Sequence, residues 1–250
     1  MYSKRSLPAP WLGLCALCAL AGSFIGCDSP DAKFRTASVY IGKNLGEELT
    51  LTGEDNVQEA RAIRSEREEQ LDLVNDALTA MFGTPDKPYI VADEEIGVPQ
   101  VIDQALLPIA AGPVGRDENG VAHGLYRQHC VHCHGVTGDG QGPTAAFLNP
   151  YPRDFRTGIY KFKSTAALHP PTDDDLIKTL EEGIPGTAMP SFKALLAEDE
   201  IEALVNYVKY LSVRGEVERK LIYELTFIDS DEPLETTKDF LVDTILSYVI

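Results

Sequence analysis

The chain has 250 residues, 44% of them hydrophobic, and this composition excludes wholesale disorder. A domain usually takes about 100 to 200 residues, so the chain has room for one or two. Its 39 acidic residues outnumber 22 basic ones, which gives a formal net charge of -17. Because this charge repels a phosphate backbone, we expect no nucleic acid among the partners.

The amino terminus has the pattern of an export signal. Lys4 and Arg5 form a basic start, and the mostly apolar stretch at 11–25 is too short to span a bilayer comfortably. The segment ends in FIGC, which resembles the lipobox of bacterial lipoproteins, where the cysteine is lipidated and becomes the new amino terminus. We predict a lipoprotein-type signal peptide at 1–26 and a lipid anchor on Cys27. Ordinary signal cleavage and an uncleaved anchor are the alternatives.

Residues 27–114 are acidic, carry no catalytic cluster and end in a stretch punctuated by proline and glycine. A helix is predicted at 54–82, because apolar residues recur there at helical spacing. These apolar positions are Val57, Ala60, Ile63, Leu71, Val74, Leu78 and Met81. We interpret the range as an acidic, helical or irregular spacer that holds the next domain away from the membrane. A dedicated binding module is the alternative.

Residues 115–214 carry the signals of a compact helical domain. A helix is predicted at 122–134, and a glycine-rich turn follows it. Thr172 is a good cap for a second helix, whose acidic first turn suits the positive end of the helix dipole and which Gly183 ends. The pattern predicts a small all-helical domain with long loops.

The carboxy-terminal part continues the helical pattern. The last helix of the domain is predicted to begin near Asp199, and Gly215 is predicted to close it. Residues 215–250 then form an extension with a predicted amphipathic helix at 235–250. Its apolar end is expected to pack on the domain or on a partner.

The densest cluster of reactive side chains is QHCVHCHG at 128–135. Once the signal is removed, Cys130 and Cys133 are the only cysteines besides Cys27. A structural zinc site needs four ligands, but His169 is the one histidine far from the cluster. A thioredoxin-like redox pair would follow a strand and open a helix, whereas this pair closes a predicted helix.

Covalent haem fits the same cluster better, because Cys-x-x-Cys-His is the attachment motif of c-type haem. Two cysteines three positions apart on a helical turn can form thioethers to the two vinyl groups of one porphyrin, and the adjoining histidine then lies under the iron. We predict Cys130 and Cys133 as the attachments of one haem c and His134 as the proximal iron ligand. His129 and His132 are interpreted as bystanders.

A six-coordinate haem iron needs a second ligand, and methionine is the partner of histidine that raises the potential of c-type cytochromes. The chain has three methionines, of which Met1 belongs to the signal and Met81 to the predicted spacer. Met189 lies in a loop rich in glycine and proline, which could hold its sulfur against a flat cofactor. We predict Met189 as the distal ligand, with His169 or a vacant site as the alternatives.

The segment resembles a class I monohaem cytochrome c. The resemblance rests on CVHCH at 130–134, GTAMP at 186–190 and the helix EDEIEALVNYVKYL at 198–211, and it covers about 100 residues. It implies an all-α, cytochrome c-like domain wrapped around one covalent haem, in which an amino-terminal helix crosses the last helix. Tyr126 holds the position of the aromatic residue that packs on the last helix in this family. The recipients predicted for it are Leu204, Tyr207 and Val208.

One basic residue is predicted to contact the cofactor from outside the motifs. Arg153 could bind a haem propionate, because a guanidinium grips a carboxylate at two points. A surface arginine or one paired with an aspartate is an equally weighted alternative.

The resemblance implies an electron carrier that changes no substrate and passes one electron at a time through an exposed haem edge. We expect it in the periplasm or on the outer face of a bacterial membrane, in a respiratory-type chain, with redox proteins such as a membrane oxidase or dehydrogenase complex as partners. The alternatives are a fixed cytochrome subunit of a larger membrane oxidoreductase and a ligand-binding or catalytic haem protein with an open iron site.

Overall fold

The computed structural model describes residues 31–36, 68, 71–72, 74–91 and 101–225. Helices predominate among them, which confirms the all-α class. Helical residues 74–82 form α1, and the helices that follow are α2 Leu107–Ala110, α3 Leu125–His129, α4 Val131–His134, α5 Asp173–Glu182 and α6 Glu198–Leu225. Two-residue strands, β1 Gly115–Arg116 and β2 Ala122–His123, pair antiparallel, and 3-10 turns lie at Ala145–Phe147 and Phe155–Thr157.

The long helix α6 organises the domain. It has 28 residues, which corresponds to about 42 Å of helix, and α2, α3, α5 and the 3-10 turn Phe155–Thr157 all pack on it. Tyr126 of α3 meets Tyr207 edge-on, with ring centroids 5.0 Å apart, so the predicted contact of Tyr126 with Tyr207 is confirmed. The crossing of α3 and α6 therefore fixes the position of the attachment motif that follows α3.

Gly215 does not close the last helix, because α6 continues through it to Leu225. A Cβ atom at this position would lie 2.4 Å from the backbone of Arg156. The glycine is thus needed for close approach of the 3-10 turn rather than for a helix end. The boundary predicted between 214 and 215 falls inside one continuous helix.

The described parts of the predicted spacer at 27–114 also differ from expectation. Val74, Leu78 and Phe82 of α1 are fully buried in the same apolar core as Tyr210 of α6. The apolar face predicted for this helix therefore finds its partner in the domain itself, since leaving it in water would cost hydrophobic free energy. Where the chain is described, these residues are part of the domain and do not form a detached spacer.

The helix predicted at 122–134 is broken into three pieces. Ala122 lies in β2, and Gly124 turns the chain with a φ of 72° before α3 begins at Leu125. A Cβ on Gly124 would lie 2.7 Å from the carbonyl oxygen of Pro113, so the strand and the helix can meet only through a glycine here. Cys130 then separates α3 from α4.

The second predicted helix agrees with the structure. Thr172 and Asp175 form a reciprocal capping box at the start of α5, and Gly183, with a φ of 69°, ends it. In the described part of the chain, no helix is long and apolar enough to cross a bilayer. The signal predicted at 1–26, Cys27 and the helix predicted at 235–250 lie outside the described residues.

Candidate functional site

One cavity of about 610 Å³ brings the predicted cofactor residues together. Cys130, Cys133, His134, Arg153 and Met189 all line it, although up to 59 residues separate them in sequence. The remaining lining is largely apolar and includes Leu176, Leu180, Ile184, Phe192, Val205 and Val208. Its size lies within the range of about 300 to 1,000 Å³ that is usual for cofactor sites.

The two cysteines lie three residues apart, since Cys130 immediately precedes α4 and Cys133 lies within it. Both are free thiols. Burial raises the pKa of the Cys130 thiol to about 12, and the neighbouring Cys133 adds to the shift, so this thiol stays protonated near neutral pH. The sulfur of Cys133 lies 3.4 Å from the hydroxyl oxygen of Thr144, whose hydroxyl donates to the carbonyl of His132 at 2.6 Å.

The His134 ring is held by one hydrogen bond and one stacking contact. Its Nδ1 lies 3.0 Å from the carbonyl oxygen of Arg153, and its ring stacks on Phe155 with centroids 4.4 Å apart and planes 18° apart. Because a carbonyl can only accept, Nδ1 carries the proton and Nε2 keeps a free lone pair for a metal. Burial lowers the pKa of His134, which favours the neutral ring that metal binding requires.

Met189 is held by hydrogen bonds within its own loop. The Ile184 N–H donates to the Met189 carbonyl at 3.1 Å, and the Met189 N–H donates to the Thr187 hydroxyl oxygen at 3.1 Å. That hydroxyl donates in turn to the carbonyl of Ile184 at 2.8 Å. The alternative ligand, His169, is exposed and does not line the cavity.

His129 and His132 also line the cavity, the former with its ring 6.0 Å from that of Phe192. In the residues that the structure describes, no three His, Cys, Asp or Glu side chains are grouped so that they could hold a metal ion. The crowded motif at 128–135 therefore does not fold back on itself as a zinc site.

Apart from the histidines, the charged side chains that line the cavity are cationic, and one of them, Lys161, was not predicted from the sequence. Among the residues that the structure describes, Arg153 and Lys161 line the cavity and no carboxylate does. Asp154 pairs with Arg156 at 2.9 Å, while Arg153 is exposed, so a propionate contact for Arg153 stays a prediction. Lys161 lies in the basic and aromatic run YKFK at 160–163, a signal that stands out in so acidic a chain. Phe155 had no such signal, because its role depends on the stack with His134.

The donor set fits a c-type haem. Two thiols suit thioether bonds, while an imidazole nitrogen and a thioether sulfur suit the two axial positions of iron. Apolar walls suit a flat macrocycle, and two cationic side chains suit its two propionate groups.

Comparison with known proteins points to the same part of the chain. A family model described as cytochrome c matches residues 122–212. Cytochrome c55X of Paracoccus denitrificans (strain Pd 1222) is 30% identical over 98 residues, which make up 39% of this chain and 79% of that protein. Cytochrome c55X of Stutzerimonas stutzeri is 35% identical over 100 residues, 40% of this chain and 73% of that protein.

One solved structure is also similar in sequence. A chain of the reducing HAO-like protein complex of Kuenenia stuttgartiensis is 28% identical, and the match covers 51% of this chain and 55% of that one. The TM-score of the match is 0.35.

Proposed function

Because the chain belongs to the cytochrome c family, we propose that it carries single electrons on one haem c bound in the cavity of about 610 Å³. Covalent haem c with its iron is the cofactor of this family. In the proposal, Cys130 and Cys133 form the thioether bonds, His134 is the proximal ligand and Met189 is the distal ligand. The observation that carries the proposal is that all four side chains line the same cavity.

The haem supplies a reversible one-electron change between ferrous and ferric iron. The Nδ1–H of His134 donates to the backbone carbonyl oxygen of Arg153 at 3.0 Å, so the lone pair of Nε2 is free to bind the iron. Met189 would supply its thioether sulfur as the second protein ligand of the iron, which would keep other ligands away and favour electron transfer over catalysis. The apolar walls exclude water and so favour the less charged, ferrous state.

Arg153 and Lys161 are proposed to bind the propionate groups. They are the charged side chains that line the cavity, apart from its histidines, in the part of the chain that the structure describes. Each would offset one carboxylate that would otherwise lie beside apolar walls. Changing either to glutamine is expected to lower the reduction potential, because a positive charge near the iron is lost.

The proposal includes export and a lipid anchor on Cys27, so that the domain acts at the outer face of a bacterial membrane. Ala32 packs against the domain, since its N–H donates to the Asp86 carboxylate. The proposed partner is a redox complex at the membrane surface, such as an oxidase or dehydrogenase complex.

The anchor is tested by fractionating cells that express the full-length chain or its Cys27→Ala variant. We expect the wild type with the membranes and the variant released in soluble form with its haem. If both forms fractionate alike, the lipid anchor is wrong while the cytochrome assignment stands.

Haem staining of a denaturing gel, together with absorption spectra before and after carbon monoxide, tests the cofactor assignment. We expect a stained band that survives denaturation and a ferrous spectrum that carbon monoxide changes only slowly. Without a stained band, the proposed function fails. Rapid carbon monoxide binding would instead support the haem protein with an open iron site.

A further inference from the structure

Residues 31–36, which we call the strap, pack on the domain although the proposed function gives them no role. The Thr36 hydroxyl donates to the side-chain oxygen of Asn75 at 2.6 Å. The Phe34 ring lies 6.3 Å from that of Tyr210, and the guanidinium of Arg214 lies over it at 4.1 Å. The strap is therefore fixed on both sides of Arg35, whose side chain is free to make one directed contact.

That contact is with Asp139, a carboxylate whose side chain is only 1% exposed. One oxygen accepts from the Arg35 guanidinium at 2.9 Å, and the other accepts from the Gln141 N–H at 2.9 Å. Arg35 is the one cation within ion-pair distance of Asp139 among the residues that the structure describes. Because a buried carboxylate without a cation is costly, Arg35 stabilises the charge that Asp139 carries.

Asp139 lies in the loop that follows His134, and this loop supports the His134 ring. A Cβ on Gly135 would lie 2.3 Å from the Asp139 carboxylate, so this carboxylate packs directly against the residue after His134. The Gly140 N–H donates to the His134 carbonyl at 2.9 Å, and the Phe155 N–H donates to the Gly138 carbonyl at 2.8 Å. The residues on either side of Asp139 thus hold the backbone of His134 and the phenyl ring that stacks on its imidazole.

We propose that Arg35 and Asp139 form a positioning pair for the proximal ligand. In this pair, Arg35 neutralises the buried carboxylate, fixes the loop at 135–142 and so sets both the orientation of His134 and the reduction potential of its iron. The inference rests on the proposed function, because it takes His134 as the iron ligand. Its physical basis is the buried, paired carboxylate of Asp139, which packs against Gly135, the residue after His134.

The two members of the pair have opposite effects on the iron. Oxidation adds a positive charge there, so an uncompensated negative charge nearby favours ferric iron and lowers the potential. Arg35→Gln leaves Asp139 without its ion-pair partner, and Asp139→Asn leaves Arg35 without its own. Holding the loop is a separate effect, which would shift the potential in the same direction when either partner is changed. The potentials therefore report the charge of the pair, and hydrogen exchange reports its hold on the loop.

The test measures reduction potentials of the full-length, haem-loaded protein and its variants. We expect Arg35→Gln to lower the potential, Asp139→Asn to raise it, and the double variant to lie between the two single variants. Arg35→Lys keeps the charge and is expected to stay close to the wild-type value. The control is Lys87→Gln, which removes the same charge from an exposed pair with Asp31, 4.0 Å apart, and is expected to change nothing.

Hydrogen exchange of the Gly140 amide supplies a readout that does not depend on the iron. We expect about tenfold faster exchange in Arg35→Gln than in the wild type or Lys87→Gln, because the loop loses one charge-assisted hydrogen bond. Unchanged exchange of the Gly140 amide in Arg35→Gln, or no shift of the potential beyond that of the control in both single variants, would overturn the inference while a stained haem band kept the proposed function intact. Absence of covalent haem would refute the proposed function. Unchanged exchange of the Gly140 amide in Arg35→Gln would refute the pair, whether or not haem is bound.

Discussion

The two sides of the cavity hold their proposed iron ligands by different means. The His134 side depends on contacts between distant segments: its ring bonds to the Arg153 carbonyl and stacks on Phe155, and its loop is paired with the strap. The Met189 side depends on hydrogen bonds within one turn, from Ile184 to Met189.

This difference has a consequence for stability. Contacts between distant segments break only when a large part of the domain opens, whereas a local turn can open by itself. We therefore expect Met189 to leave the iron more readily than His134. In the proposed assignment, the His134 side would fix the cofactor and the Met189 side would set access to it.

The largest effect is expected on the proximal side, from removal of both attachment points. Cys130→Ala with Cys133→Ala should abolish haem that survives denaturation, because no thiol is left in the cavity for thioether formation. Haem staining of a denaturing gel measures this. The control His132→Ala changes a neighbouring residue of the same motif and should stain like the wild type; loss of stain in the control would mean that the motif tolerates no change.

The next effect concerns the distal ligand. Met189→Ala should abolish the weak near-infrared sulfur-to-iron band of the ferric protein and lower the potential, because a methionine ligand favours ferrous iron. Haem staining should persist, since the attachment points lie on the other side. His169→Ala is the matched control and should keep the band. Absence of the band from the wild type, or its persistence in Met189→Ala, would contradict Met189 as the ligand.

A third change weakens the support of the proximal side from outside the cavity. Gly215→Ala places a Cβ 2.4 Å from the backbone of Arg156, next to Phe155. We expect a loss of about 1 to 3 kcal/mol in the free energy of unfolding, because the turn has to move away from α6. Gly115→Ala, where a Cβ would meet nothing within 4 Å, is the control for denaturant unfolding. Equal stability of the two variants would show that the turn yields without cost.

The smallest effect concerns the turn that holds Met189. Thr187→Val removes the hydroxyl that accepts from Met189 and donates to Ile184. Each lost hydrogen bond is worth about 0.5 to 1.5 kcal/mol, so opening of the turn should become roughly tenfold more frequent. The rate of carbon monoxide binding to the ferrous protein measures this opening. Thr165→Val, which removes a hydroxyl bonded to Pro170 outside the cavity lining, should leave the rate unchanged.

Sequence reasoning succeeded where a short pattern carries the information. The attachment motif predicted three residues of the cavity, Cys130, Cys133 and His134, and the glycine- and proline-rich loop predicted a fourth, Met189. The capping box of α5 and the contact of Tyr126 with α6 also followed from local signals or from the family pattern. In each case the chemistry and the spacing of a few neighbouring residues sufficed.

It failed where the role of a residue depends on a distant segment. Gly215 has the pattern of a helix end, but its real constraint is the backbone of Arg156. The apolar face of α1 was recognised, while its partner in α6 was not. Arg35 and Asp139 carry no motif at all, because only the fold brings them together.

The pairing of His134 with Met189 on one iron is tested most directly by nuclear magnetic resonance of the reduced protein, labelled with ¹³C at the methionine methyl groups. The chain has three methionines, and removal of the predicted signal would leave Met81 and Met189. We predict one methyl resonance shifted far upfield by the porphyrin ring current and absent from Met189→Ala, beside an ordinary resonance from Met81, which is buried in the core. Two ordinary resonances, or an upfield resonance that survives in Met189→Ala, would contradict the assignment.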